Sequence, residues 1–322
     1  MKRILTVIML TGVALLLVVL FKGMGAFAQS KINQGPVSRR IVKYPTMLDM
    51  TFPEFEAAAK RTNVVLLPIG AIEEHSSHLP LGTDAMNATA QLFYVQNYLR
   101  AAGFETILGP PLNIGITNEA SDWARDGTYA YPGSLTIGKD TFVALYVDVL
   151  RSLYDNGMRR AFLYSGHLGF RHVEAVVQVV EEANQKIEGM KVYAVIESER
   201  LATMKLKPSA NILPVEKGRN FEMLAQLLGR GTELPQTTHA DGAETSWTLY
   251  FHPDVVRPGY KRFPQSPSSR FLEVLRSGDR TKNPSGIGGF PFDKASAAVG
   301  RKIADYRTSR IGDTILQVLK GK

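Results

Sequence analysis

Cysteine is absent from the 322-residue sequence. Disulfide bonds, thiolate metal ligands and a cysteine nucleophile are therefore excluded, and the core has to be held together by burial alone. The sequence also has no internal repeat, no low-complexity block and no Gly/Ser-rich or Pro-rich linker that would divide it into independent domains. With 44% hydrophobic and 21% charged residues, it has the composition of an ordinary globular protein.

Long apolar runs are also absent, except at the N-terminus. There the basic start MKR precedes an apolar run of 18 residues at 4–21, and the letters AFA at 26–28 provide a small-x-small cleavage site. This order predicts a secretory signal peptide at residues 1–28 and export to the periplasm or the medium. The alternative is an uncleaved membrane anchor through residues 4–21, because the run approaches the ~20 residues that a spanning helix needs.

The excess of basic residues is small. The formal net charge of +8 falls to +5 when residues 1–28 are removed, because they hold three basic residues and no acid. The remaining Lys and Arg are spread among acids and lack the interleaved aromatic residues of a nucleic-acid surface. We therefore expect no nucleic-acid partner, and contact with a membrane only through the N-terminal segment if it is retained.

The rest of the chain alternates between buried strands and amphipathic helices. Residues 29–50 show little periodicity and are predicted to form an N-terminal arm, and the Thr51-x-x-Glu54 spacing predicts a capping box at the start of a first helix. Strands are predicted at 64–69, 104–108, 161–164 and 192–196, and further helices at 87–102, 142–154 and 172–187. This alternation is typical of a three-layer α/β/α sandwich with a mainly parallel central sheet, here one domain over residues 51–322.

The stretch richest in chemistry is GAIEEHSSHLPLGTD at residues 70–84, directly after a predicted strand. If the chain stays extended there, the side chains of Glu73 and His75 point to one side and that of Glu74 to the other. Oxygen and imidazole donors suit Zn²⁺ or Mn²⁺, and a carboxylate such as Asp84 can bridge two ions about 3.5 to 4 Å apart. Taken alone, the stretch is as compatible with a polar surface loop as with a metal site.

A second candidate donor, His167, follows the strand predicted at 161–164. In open α/β sheets, ligands bind beyond the carboxyl ends of the strands, so His167 can face the same site as the first stretch. A single histidine after a strand is more often a structural residue. The coincidence of two donor groups at two strand ends strengthens the metal interpretation of both.

The third group is HADGAETS at residues 239–246, which offers His239 for proton transfer and Glu244 as a carboxylate ligand. Taken alone, it favours a capped helix start. In that interpretation Asp241 or Thr245 accepts backbone N–H groups and Glu244 is solvated.

Together, the three groups resemble the signatures of the creatininase family. Those signatures read EQHGPHLPLGTD, NGHGGN and HAGxxETS, and the matching segments occur here in the same order at 73–84, 165–170 and 239–246. The letters YPGS at 131–134 and the segment 288–302 are similar to further elements of the family. The resemblance extends from about residue 51 to the C-terminus and implies the sandwich fold given above.

The resemblance implies two divalent ions per subunit, Zn²⁺ and/or Mn²⁺. It assigns one ion to Glu73, Asp84 and His167 and the second to His75, Asp84 and Glu244, with Asp84 bridging. His239 would match the family's catalytic histidine and protonate the departing nitrogen. The implied activity is that of a metal-dependent hydrolase of carbon–nitrogen bonds other than peptide bonds, in which activated water attacks a cyclic or small amide. Relatives are often hexamers, so a homo-oligomer is expected by resemblance.

The second block departs from the family pattern. Ser165 and Phe170 replace its two asparagines and are expected to reshape the pocket. Gly169 stands where creatininase itself has a metal-binding glutamate, so the resemblance requires Glu244 to supply that carboxylate.

The first and third blocks each contain an additional acid, Glu74 and Asp241, and these are expected to bring one or two further carboxylates towards the substrate. The departures leave open a relative that acts on a linear amide, a formamide, a short peptide or a cyclic carbohydrate derivative. They also leave open an exported protein that binds metal or a ligand without turnover. The polar, aromatic stretch 118–131 is interpreted either as a lid over the site or as an ordinary surface loop.

Overall fold

The computed structural model describes residues 43–117, 131–229, 238–263, 266–277 and 279–321. Within these ranges the apolar runs form one five-stranded sheet. Its strands are β1 (Val64–Ile69), β2 (Ile107–Leu108), β3 (Arg160–Ser165), β4 (Lys191–Glu197) and β5 (Ile212–Val215). They are all parallel and lie in the order β2-β1-β3-β4-β5, which confirms the predicted mainly parallel sheet.

The strand predictions differ from the structure only at the sheet edges. The run at 104–108 pairs over its last two residues alone. The edge strand β5 was not predicted, because it is short and contains Pro214, which cannot donate to a neighbouring strand and is tolerated at an edge.

Helices connect the strands and cover both faces of the sheet. They are α1 (Phe52–Ala59), α2 (Thr83–Ala101), α3 (Lys139–Asp155), α4 (Phe170–Lys186), α5 (Ser198–Met204), α6 (Phe221–Leu228), α7 (Gly242–Phe251), α8 (Ser268–Ser277) and α9 (Ala297–Leu319). The predicted capping box is confirmed, since the Thr51 N–H donates to the Glu54 carboxylate at 2.7 Å. No described helix combines the length and hydropathy needed to cross a bilayer.

Successive side chains of each strand point to opposite faces of the sheet. Both sets are apolar because helices cover both faces. Val65 and Leu67 of β1 belong to one buried cluster with the inner faces of α3 and α4. Val64 and Leu66 belong to a second cluster with α2 and α9. The three-layer α/β/α sandwich predicted from the sequence is therefore confirmed.

The packed chain begins earlier than the predicted arm allows. Residues Tyr44–Lys322 form one compact unit. The Tyr44 hydroxyl donates to the carbonyl of Phe251 at 3.0 Å, and the ring packs edge-on against Phe93. Packed structure is therefore present from Tyr44, within the predicted N-terminal arm, and the boundary at residue 50 stays a prediction. Residues 1–42, including the predicted signal peptide, lie outside the described residues.

The helix that carries Asp84 starts four residues before its predicted position at 87. Its first turn is polar but buried: Thr83, Asp84 and Asn87 are each less than 4% exposed. Buried polar residues interrupt the apolar periodicity on which the prediction relied. The consequence is that Asp84 lies on a rigid helix start and not in a loop.

Strand order reverses between β1 and β3, because β2 lies on one side of β1 and β3 on the other. Open α/β sheets bind ligands at such a switch point, beyond the carboxyl ends of the strands. Two glycines at these ends let α2 approach the sheet. A methyl group on Gly70 would lie 2.6 Å from the Ala85 Cα, and one on Gly166 would lie 2.8 Å from the Asp84 carbonyl carbon.

We expect Gly166→Ala to push α2 away from the sheet and to lower the free energy of unfolding by about 1–3 kcal/mol, the usual cost of overpacking. Gly82→Ala is the matched control, because its methyl group would meet only the Met86 sulfur at 4.0 Å. Urea unfolding of the two variants checks this. Equal stability of both variants would contradict the close approach at Gly166.

Candidate metal centre

Six buried or nearly buried polar side chains meet at the switch point between β1 and β3. They are all the residues selected from the sequence: Glu73, His75, Asp84, His167, His239 and Glu244. Their donor atoms form three groups of three, in each of which all atoms lie within 4.8 Å of one another: Glu73, Asp84 and His167; His75, Asp84 and Glu244; Glu73, His75 and His239. The first two groups are the ones that the resemblance assigns to two ions, and they share Asp84.

Asp84 divides its two carboxylate oxygens between two histidines. Its Oδ1 lies 3.3 Å from His75 Nε2, and its Oδ2 lies 3.4 Å from His167 Nδ1. Each histidine is also close to a second carboxylate. Glu244 Oε1 lies 3.5 Å from His75 Nε2, and Glu73 Oε2 lies 2.9 Å from His167 Nδ1. The cluster therefore has two donor pockets with one carboxylate between them.

Backbone carbonyls fix which nitrogen of each imidazole faces the carboxylates. His75 Nδ1 is 3.0 Å from the carbonyl oxygen of Glu73, and His167 Nε2 is 3.0 Å from that of Ile116. These nitrogens must carry the proton, since a carbonyl only accepts. The other nitrogen of each ring can then bind an ion, which is the arrangement typical of metal-ligating histidines.

Two buried atoms of the cluster lack a hydrogen bond in the described structure, His75 Nε2 and Asp84 Oδ2. A buried polar atom without a partner is costly, and metal ligation is one way to satisfy it. Nitrogen and oxygen donors without sulfur suit Zn²⁺ or Mn²⁺. The residues present therefore fit divalent ions.

The directions in which the pKa values of the clustered residues shift agree with a site for divalent ions. Burial alone would lower the pKa of His75 and His167, but the neighbouring carboxylates, above all Glu244 for His75 and Glu73 for His167, raise both well above the usual range. Burial alone would raise the pKa of Asp84, but the two histidines hold it well below its usual range. The cluster thus stabilises positive charge, which divalent ions would supply in place of the histidine protons.

A second layer of hydrogen bonds supports His167. Burial and the nearby His167 hold the pKa of His172 well below its usual range, so His172 is neutral. Its Nδ1 accepts from the Ile116 N–H at 3.3 Å, and its Nε2 donates to Ser165 Oγ at 3.1 Å. Ser165 Oγ in turn donates to the His167 carbonyl at 2.6 Å. Ser165, one of the departures from the family pattern, therefore holds the backbone of His167.

His239 is held with one nitrogen turned away from the cluster. Its Nε2 lies 2.8 Å from the Glu74 carbonyl oxygen and 3.1 Å from Glu74 Oε1, and its ring stacks on Phe271 at 4.2 Å between centroids. Its Nδ1 faces the cluster, 4.0 Å from Glu73 Oε2. Burial alone would lower the pKa of His239, but Glu73 and Glu74 raise it above the usual value.

The expectation that Glu74 faces the substrate is wrong. Its side chain is buried, and its carboxylate binds His239 and accepts from the Ser76 N–H at 2.9 Å. The YPGS element supports this turn, since Ser134 Oγ accepts from the Glu74 N–H at 2.9 Å.

Only Tyr131 of the stretch 118–131 is described, so the interpretation of this stretch as a lid or a loop stays open.

The expectation that Asp241 faces the substrate is also wrong. Asp241 is fully buried and caps α7, where its Oδ1 accepts from the N–H groups of Ala243 and Glu244, each at 3.0 Å. Its Oδ2 accepts from the Phe290 N–H at 2.7 Å. The capped helix start proposed for this segment is therefore present. Glu244 is not simply solvated. One of its carboxylate oxygens accepts from the Ala240 N–H at 2.7 Å, and the other lies 3.5 Å from His75 Nε2.

A cavity of about 900 Å³, counting the solvent at its mouth, opens from the cluster along the carboxyl edge of the sheet. Glu73, Asp84, His167, His239 and Glu244 line one end. Phe170, which the resemblance placed in the pocket, is part of this lining. The lining further includes residues that the sequence analysis did not select: Glu197, Arg200, Arg219, Trp247 and Arg307. No local motif marks these residues, since they come from four separate segments that only the fold brings together.

Comparison with known proteins agrees with the resemblance. The family model Creatininase, described as creatinine amidohydrolase, matches residues 48–315. Creatinine amidohydrolase of Pseudomonas putida is 24% identical over 233 residues, which is 68% of this chain and 81% of that protein. A mycofactocin precursor peptide peptidase of Mycolicibacterium smegmatis is 32% identical over 118 residues, 36% of this chain and 43% of that protein.

Solved structures show the same fold. A crystal structure of creatinine amidohydrolase matches with a TM-score of 0.63 at 21% identity, covering 84% of this chain and 96% of that chain. A creatininase mutant of Zn–Zn type and a creatininase with Mn match over the same shares, with TM-scores of 0.62 and 0.58 and identities of 22% and 20%. Which of the six clustered residues bind metal, and which transfers a proton, stays a prediction.

Proposed function

Since the chain belongs to the creatininase family, we propose that it is a dinuclear metal-dependent amidohydrolase that cleaves a carbon–nitrogen bond of a small or cyclic amide. The observation that supports this best is the sharing of Asp84 between two donor pockets. Its two oxygens lie 3.3 Å from His75 Nε2 and 3.4 Å from His167 Nδ1. A carboxylate in that position suits a bridge between two ions.

In this proposal Glu73, Asp84 and His167 hold one ion, and His75, Asp84 and Glu244 hold the other. Two divalent ions bound there would polarise the amide carbonyl and bring the pKa of a water molecule close to neutrality. Either Zn²⁺ or Mn²⁺ suits these donors.

His239 is the proposed proton donor to the departing nitrogen. Its Nε2 is engaged by Glu74, so its Nδ1 is the atom that faces the substrate side of the cluster. Glu74 acts as a positioning residue, because it holds the ring in this orientation. The stacking of His239 on Phe271 restricts the ring further.

A short peptide is the second candidate substrate. The observation in its favour is the 32% identity to a precursor peptide peptidase over 118 residues, a higher identity over a shorter span than that to creatinine amidohydrolase. Both candidates require the same water attack on a carbonyl. They differ in the room that the substrate needs beyond the cluster.

Elemental analysis of the purified protein is the first test, with hydrolysis of creatinine, short peptides and small linear amides assayed on the same sample. We expect about two Zn or Mn per chain and turnover that chelation abolishes and the metal restores. Metal without turnover of any amide would favour a protein that only binds metal or a ligand. Absence of bound metal after reconstitution would contradict the site.

Two variants separate the roles of the ligands and of His239. Asp84→Asn keeps the shape but removes the shared charge, so bound metal and activity should be lost together. His239→Gln should keep the metal and slow hydrolysis by roughly 10²- to 10⁴-fold, the usual contribution of a general acid. Metal content and kcat are measured on both.

Asp305→Asn, on the exposed side of α9, is the control and should change neither quantity, since its side chain is 58% exposed. Loss of metal from His239→Gln would instead place His239 among the ligands. The third donor group, which joins Glu73, His75 and His239, is the arrangement that this result would favour.

We also propose that the protein acts outside the cytoplasm as a homo-oligomer. The N-terminal sequence supports export, and the family resemblance supports self-association. Mass spectrometry of protein isolated from its natural producer tests both, since the denatured mass locates the N-terminus and the native mass gives the number of subunits. We expect a chain that starts at Gln29, in a complex of six. An intact N-terminus would favour the membrane anchor, and a monomer would contradict the assembly.

A further inference from the structure

Three arginines line the cavity beyond the metal cluster. Arg200 lies on α5, Arg219 between β5 and α6, and Arg307 on α9. The first two are only 7% and 8% exposed. One acid, Glu197 at the end of β4, shares this wall with them. We call these four residues the arginine wall, and their summed formal charge is positive.

Aromatic rings fix the orientation of two of the guanidinium groups. The Arg200 guanidinium lies 4.9 Å from the centroid of Phe170, and that of Arg307 lies 4.3 Å from the centroid of Trp247. Stacking of this kind holds the plane of a guanidinium while its edge remains directed sideways. Two of the positive charges are therefore held against the wall of the cavity.

Arg219 has a buried Nε that donates to no atom of the described chain. No carboxylate of the described residues lies within ion-pair distance of its guanidinium. Glu197 lies in the same wall, is 4% exposed and has an Oε2 without a hydrogen-bond partner. A buried donor nitrogen without a partner is disfavoured, and an arginine in this state at a cavity is a candidate for ligand binding.

Hydrogen bonds on the residue after Arg219 hold the backbone of this loop in place. The N–H of Asn220 donates to Glu199 Oε1 at 3.1 Å, and the Asn220 side chain donates to the Tyr306 hydroxyl at 3.1 Å. A methyl group on Gly218 would lie 2.8 Å from the Glu197 side chain, so the loop is also closely packed.

We propose that the substrate carries a carboxylate that binds Arg219 in the arginine wall while its amide lies at the metal cluster. This inference rests on the proposed function and narrows its substrate class to carboxylate-bearing amides. A guanidinium matches the geometry of a carboxylate, and the binding would give the buried Arg219 Nε a partner. Glu197 in the same wall disfavours a ligand with two negative charges, such as a phosphate.

The sheet sets the length of such a substrate. The cluster lies at the ends of β1 and β3, and Arg219 follows β5, two strands beyond β3. At ~4.8 Å between neighbouring strands, β5 lies roughly 10 Å from β3. A linear amide with several methylene groups between its carbonyl and its carboxylate spans this distance.

The test compares binding of N-acetyl-6-aminohexanoate with that of its neutral amide, N-acetyl-6-aminohexanamide, by titration calorimetry. These probes have the same shape and differ in the charge at one end. We expect the full mature chain, with its metal content recorded, to bind the acid about tenfold more tightly, as one charge-assisted pair allows. Arg219→Gln should abolish this preference, and Arg219→Lys should keep part of it.

Arg301→Gln is the matched control on α9, and it should leave the preference unchanged because its side chain is 70% exposed. Thermal melting of each variant checks that it is folded. The proposal is overturned if the acid and the amide bind equally, if neither binds at millimolar concentration, or if Arg219→Gln keeps the preference. The last result would indicate that the carboxylate binds the metal ions.

Turnover separates this proposal from the proposed function. If the protein hydrolyses both probes, Arg219→Gln should raise KM for the acid more than KM for the neutral amide. If it hydrolyses no amide at all, the proposed function fails, but the calorimetric comparison still decides whether Arg219 binds a carboxylate.

Discussion

Asp84 is 3% exposed, and a buried carboxylate is costly unless positive charge and hydrogen-bond donors surround it. Here positive charge comes from His75 and His167, or from ions bound between them, and the N-terminus of α2 adds to it. The position of Asp84 is set by the start of α2, which lies against Gly70 and Gly166 at the ends of β1 and β3. The sheet, the close glycine contacts and the charge cluster therefore depend on one another: a change that moves α2 also separates the two donor pockets.

The fold could be predicted from the sequence because its strands are buried on both faces. Runs such as 64–69 and 161–164 are apolar throughout, and the helices between them keep one apolar stripe. Parallel strands bring their carboxyl ends to one edge, so donors that follow separate strands could be assigned to one site. The family resemblance then supplied the pairing of the donors, which spacing alone left open.

Other parts of the site could not be predicted, because their signals arise only from tertiary packing. His172 in the first turn of α4 has the pattern of an ordinary helix residue, yet it supports His167 through Ser165. The start of α2 was misplaced because its polar residues are buried at the site. Arg219 and Arg307 are far apart in sequence and reach the cavity from different elements. No local motif distinguishes them from surface arginines.

The two additional acids show how a departure from a family pattern can be structural. Glu74 holds His239, and Asp241 caps the helix that carries Glu244, so neither carboxylate faces the cavity. The residues that do line it can set the specificity, and they include side chains near the ends of β4 and β5 and on α9. The cluster and the arginine wall are thus built by different segments of the chain. Substitution of Arg219 can change which amide is bound without disturbing Asp84 and its neighbours, because the ligands lie on or beside β1, β3, α2 and α7 and not on the loop that carries Arg219.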